Sequence, residues 1–98
     1  MKYRKKPVVI EAFQMTKTRR WDNSEWPNWL NMAWQLEDYE EGALIIDPDD
    51  EDGEILFINT LEGKHEVTWD DFIIQGIQGE TYPCKPDIFH ATYEAVEE

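Results

Sequence analysis

Apolar and polar positions along the chain change period twice, and each change marks a different kind of element. From Lys6 to Met15 they alternate: Val8, Ile10 and Ala12 fall on one side, Val9, Phe13 and Met15 on the other, with Glu11 between them. That pattern predicts a strand with cover on both faces. Thr16 to Asn23 is polar and basic and reads as a loop. A helical period follows. Trp26, Trp29, Leu30, Ala33 and Trp34 recur at i, i+3, i+4, i+7 and i+8, one apolar stripe that ends near Leu36. Asn23 or Ser24 is placed to cap this helix, Glu25 suits its positive first turn, and Pro27 is tolerated there because that N–H has no helical partner.

Beyond Gly42 the period returns to two. Ala43–Ile46 and Ile55–Leu61 read as strands joined by the acidic connection Asp47–Glu54. Glu62-Gly63 turns into a strand over 64–69, Asp70-Asp71 into one over 72–77, and Gln78-Gly79 into one over 80–82. Pro83 and Pro86 are expected to break the ladder around Cys84 and Lys85, with one helical turn over 87–90 and a final strand over 91–96. The predicted fold is α+β in a single domain spanning 1–98. A curled antiparallel sheet (a meander, in the limit barrel-like) carries one Trp-rich amphipathic helix.

Composition sharpens this reading at three points. Thirteen aromatics among 98 residues supply enough buried area for a core without disulfide or metal. The single cysteine, Cys84, excludes an internal disulfide and fits a reducing compartment. The basic start imitates a signal peptide, but Val8-Val9-Ile10 is too short for its apolar region, and no stretch approaches a membrane span, so a cytoplasmic protein is expected.

Charge is divided along the chain. Residues 1–20 hold seven of the nine basic groups against the single acid Glu11, a net of +6, while 21–98 carry −19. A field this negative disfavours direct binding to nucleic acid or to an anionic membrane. The basic start is expected to lie against the acidic body.

No constellation of catalytic or ligating residues assembles. Aligning Gly53 with position 6 of an EF-hand loop puts Asp50 and Asp52 at positions 3 and 5, but Pro48 at position 1 and Asn59 at position 12, which rejects the motif. Cys84, His65 and His90 are too few and too spread for a zinc site, and no short motif joins Cys84 to His90 as nucleophile and base. Paired carboxylates say nothing where 22 acids are present. No cofactor is expected. Trp21, flanked by Arg20 and Asp22 just before the helix, is the best candidate for an exposed tryptophan.

Two segments are more distinctive than any of these. Tyr3-Arg4-Lys5-Lys6-Pro7-Val8-Val9-Ile10-Glu11-Ala12-Phe13-Gln14 resembles the opening of a family of small phage and prophage proteins. Thr60–Gly63, Asp71–Gly76, Gly79-Glu80, Tyr82-Pro83-Cys84-Lys85-Pro86-Asp87-Ile88-Phe89 and Ala91–Glu94 resemble its remaining segments in the same order. This chain has Asp70 where the family pattern has Gly, and His90 where it has an acid. The resemblance implies a viral or prophage origin and a host-cytoplasmic setting, and carries no activity with it.

The expectation is therefore a non-catalytic accessory protein that binds another protein, a host factor being one such partner. The contact residues expected are Trp21, Tyr82, Cys84, Lys85 and Asp87, and a homodimer is compatible with the sequence. Two alternatives belong to other classes. One is an acidic DNA mimic, against which stands the crowding of the acids into Glu37–Glu41 and Asp47–Glu54. The other is a small-ligand binder or enzyme built on the Cys84/His90 region.

Overall fold

The structure, a computed structural model, describes residues 1–4 and 7–96. Its order is β1 (Glu11–Gln14), α1 (Lys17–Trp21), a 3-10 turn (Asn23–Glu25), α2 (Asn28–Gln35), β2 (Leu44–Ile46), β3 (Leu56–Thr60), β4 (Gly63–Val67), β5 (Phe72–Gln75), β6 (Thr81–Cys84) and α3 (Pro86–Thr92). The fold is α+β with every strand pair antiparallel. The strands divide into two open three-stranded sheets, β1-β5-β6 and β2-β3-β4, rather than curling as one. The first strand pairs with the fifth (Glu11 opposite Gln75, Phe13 opposite Ile73), a pairing that local patterning does not reveal.

Met15, Trp26, Leu30, Ala33, Leu44, Leu56, Ile58, Val67 and Ile73 form the buried core, with Phe13, Trp29, Trp34 and Trp69 packed at its margin. Ile73 and Ile74 are both fully buried although they point to opposite faces of β5. Ile73 faces the main core. Ile74 lies on the face of Phe72, whose ring stacks on Phe89 of α3 at 3.8 Å between centroids. Helix α3 thus covers the outer face of its sheet, and β5 is covered on both sides. At ~25 cal/mol per Å² of apolar area, each of these two isoleucines contributes ~2 kcal/mol of burial.

The departures from the sequence-based expectations have local causes. The strand predicted from Lys6 is reduced to Glu11–Gln14; Lys6 lies outside the described residues, and Val8 and Val9 are exposed rather than covered. The stretch predicted as a loop over 16–23 contains α1, started by Thr16, whose Oγ1 accepts a hydrogen bond from the Arg19 N–H at 3.1 Å. The Trp-rich helix begins at Asn28, not at Asn23 or Ser24, because a residue preceding proline is held out of the helical region. Trp26 is accordingly extended, with ψ of 130°. Pro27 becomes the N-cap, and the 3-10 turn before it is capped by Asp22, whose Oδ1 accepts from the Ser24 N–H.

Pro83 does not break the ladder. It sits within β6 opposite Ile73, on the outermost strand of its sheet, where a missing N–H is tolerated. The final strand over 91–96 is not formed. Helix α3 runs on to Thr92, and Phe89 and Tyr93, four residues apart, pack with ring centroids at 5.1 Å. Packing of the helix through Phe89 onto Phe72 outweighs the alternation of Ala91, Tyr93 and Ala95.

The basic start behaves as two parts. Lys17 reaches Glu54 at 3.4 Å and the Arg20 guanidinium donates to the Gly53 carbonyl, so α1 does lie against the acidic connection. Met1 to Arg4, by contrast, are exposed.

Candidate functional site

Helix α1 displays Trp21. Its side chain is 57% exposed, and the Arg20 guanidinium lies over its ring at 4.6 Å. The same guanidinium lies 4.9 Å from the ring of Trp34, so Arg20 is held between an exposed and a half-buried indole. Trp34 in turn meets Trp26 edge-on at 5.6 Å, and the Trp26 Nε1–H donates to the Arg19 carbonyl at 2.7 Å. The ladder from Trp26 through Trp34 and Arg20 to Trp21 therefore runs from core to surface. Burial pushes the Arg20 pKa below its ordinary value. Its Nε is buried with no hydrogen-bond partner among the described residues.

The acidic connection beside it closes on itself. Asp50 accepts from the Asp52, Glu54 and Ile55 N–H groups, and Asp47 Oδ1 from Asp49. The Ile55 N–H bond is the main cause that holds the Asp50 carboxyl below its usual range. Among the described residues, no three His, Cys, Asp or Glu side chains gather as a metal would require.

The segment from Tyr82 to Asp87 lies in different surroundings, on β6 and the first turn of α3. Tyr82 and Cys84 are half-buried, and Lys85 and Asp87 are exposed. Tyr82 shares a cavity of about 390 Å³ with Leu61, His65 and Pro83. Burial, and then the neighbouring Tyr93 hydroxyl, push its phenol up to about 12. The Cys84 thiol is pushed up too, by burial first and then by the charges of Asp71 and Asp87, which disfavours a thiolate. The His90 ring packs edge-on against Phe72 and Phe89 at 5.3 and 5.6 Å, in an aromatic cluster.

Lys85 serves a residue that sequence reasoning missed. Asp71 is buried, and its Oδ2 accepts from the Thr68 N–H at 2.9 Å, from Thr68 Oγ1 at 3.0 Å and from Lys85 Nζ at 3.2 Å. Lys85 also donates to Thr68 Oγ1 at 2.7 Å. The other carboxylate oxygen, Asp71 Oδ1, has no partner among the described residues. The cluster closes the Thr68–Asp71 turn, where the Asp71 N–H also donates to the Thr68 carbonyl. A carboxylate inside a tight turn, three residues from a threonine, was the available signal.

A wider groove of about 670 Å³ opens along β1 and α3, between Val9, Trp29, Phe72, Phe89 and Tyr93. The described residues contain no helix long and apolar enough to cross a membrane. No protein-family model, curated protein or solved structure matches the chain.

Proposed function

We propose that this chain is a non-catalytic accessory protein of phage or prophage origin, working in the host cytoplasm by binding another protein through the surface around Trp21. The observation that carries the reading is a tryptophan more than half exposed with an arginine stacked on its ring. A large exposed aromatic beside a guanidinium is the pairing that most often supplies the binding energy of protein interfaces, where Trp, Tyr and Arg are enriched among the residues that matter. Tyr82, half-buried in the cavity beside Leu61 and His65, supplies a second contact region.

The raised Cys84 thiol supports a non-catalytic role, since a nucleophile needs the opposite shift. Immobilised protein passed over host lysate at moderate salt tests the reading. It is expected to retain one stoichiometric partner, and the same chain carrying Trp21→Ala is expected to retain none. A blank from the unsubstituted chain would defeat the proposal.

A further inference from the structure

Three cavities lie where the C-terminal end of α2, the β3–β4 turn and the β5–β6 turn meet, and shared residues join them into one groove. The cavity of about 390 Å³ beside Tyr82 shares Leu61 and Glu80 with a second of about 510 Å³. A third, of about 450 Å³, shares Gly42 and Gly79 with the second and runs along Met32 and Leu36 of α2. Glu41 lines all three.

The groove presents apolar side chains to solvent. Leu61 is 87% exposed at the β3–β4 turn, and Met32 and Leu36 are exposed on α2. Thr81, which is buried, lines two of the three cavities.

The same groove is acidic, and nothing in the described residues offsets it. Glu41, Glu62 and Glu80 are exposed, and none of them forms an ion pair among the described residues. Glu80 accepts the Gln78 N–H and keeps its charge. No lysine or arginine lines any of the three cavities. Only two bases follow Arg20 in the chain. Lys64 precedes His65 on β4 and so points to the opposite face of that strand from the histidine that lines the groove. Lys85 is held by Asp71 and Thr68. On α1, Lys17 is paired with Glu54 and Arg19 with Glu25. Exposed aliphatic groups set among uncompensated carboxylates attract a partner of opposite charge that also carries apolar surface.

We infer that this groove takes a segment of a partner protein in which lysine or arginine is interspersed with aliphatic side chains. The cations meet Glu41, Glu62 and Glu80, and the aliphatic groups cover Leu61, Leu36 and Met32. An acidic segment is rejected by the same carboxylates. This deepens the second contact region around Tyr82, and it rests on the reading that the chain works by binding a protein.

Fluorescence anisotropy with labelled synthetic peptides, titrated with the full chain at moderate salt, tests this. A peptide of repeated Leu-Lys-Gly is expected to bind about tenfold tighter than one of repeated Gly-Lys-Gly carrying the same charge, and a Leu-Glu-Gly peptide not at all. The amide resonances of Gly42, Leu61 and Gly79 are expected to shift on binding. The triple variant Glu41→Gln, Glu62→Gln, Glu80→Gln is expected to weaken binding about tenfold, and Leu61→Ser about fivefold, each with an unchanged melting temperature. A second triple, Asp49→Asn, Glu51→Gln, Asp52→Asn, removes as much charge from the acidic connection and is expected to change affinity by less than about twofold.

Equal binding of the two lysine peptides would reduce the effect to net charge and overturn the inference. So would equal losses in the two triple variants, or no binding by any peptide. Trp21→Ala is expected to leave peptide affinity unchanged; a loss there with the groove triple unaffected would overturn the groove and leave the Trp21 reading in place. A host lysate that yields no partner defeats that reading without altering these titrations, so the two failures are told apart.

Discussion

Lys85 Nζ lies 3.2 Å from Oδ2 of Asp71, whose side chain is only 2% exposed, while the lysine itself is about half exposed. The pair therefore joins the start of α3 to the turn that leads into β5. Removing the lysine leaves a buried carboxylate with two neutral donors from Thr68 and no cation. Lys85→Met is expected to cost ~1–3 kcal/mol, and Asp71→Asn a similar amount. The double variant is expected to cost less than the two losses together, because neither change then strands a charge. Urea unfolding of the four chains measures this, and strict additivity would show that the two groups are not coupled.

Asp70, one residue earlier, has φ of +73°, the left-handed region that glycine occupies without steric penalty. Its N–H donates to the Met15 carbonyl, so the strained conformation is fixed by pairing. Asp70→Gly is expected to raise stability by ~0.5–1 kcal/mol, and Asp70→Val to lower it by ~1 kcal/mol or more. A lower urea midpoint for the glycine variant would contradict this account.

Tyr82 is expected to ionise late. Its phenol is held at about 12, against an ordinary value near 10. The folded state thus favours the neutral form. Its contribution to stability is complete below pH ~10 and is lost as pH rises through the folded value. Ultraviolet titration should show one tyrosine lagging the others and disappearing in Tyr82→Phe. A single uniform transition in the unsubstituted chain would contradict it.

Trp21 and Trp26 are five residues apart and are expected to respond in opposite ways. Trp26 is buried and donates to the Arg19 carbonyl, so Trp26→Ala should cost ~3–5 kcal/mol. Trp21→Ala should change the melting temperature little, since the ring is more than half exposed, while abolishing partner capture. Equal destabilisation by both would place Trp21 in the fold rather than at an interface.

Much of the fold was legible in the sequence for a plain reason. Periods of two and 3.6 are local properties, and the hairpins around Glu62-Gly63 and Gln78-Gly79 join neighbours in the chain; Gly63 and Gly79 do take positive φ there. Of the candidate site, Trp21 was legible as an exposed tryptophan, from its polar neighbours outside the apolar stripe. Helix α1 was not legible, because its five residues carry no apolar stripe and its start depends on one threonine cap. Nor was the role of Lys85. Its partners lie 14 and 17 residues away in the chain, and only the folded turn brings them within reach.

The amino-acid order alone determined the α+β class, the antiparallel hairpins, the tryptophan helix and the division of charge. Each follows from neighbours within a few residues or from simple counting. Tertiary structure decided that β1 pairs with β5, that the strands form two sheets, and that the helix begun at Pro86 runs on to Thr92 where a final strand was expected. It also decided that Asp71 is buried. These outcomes depend on which apolar faces meet across the molecule, and Phe72 stacking on Phe89 outweighs any local alternation once the two are brought into contact.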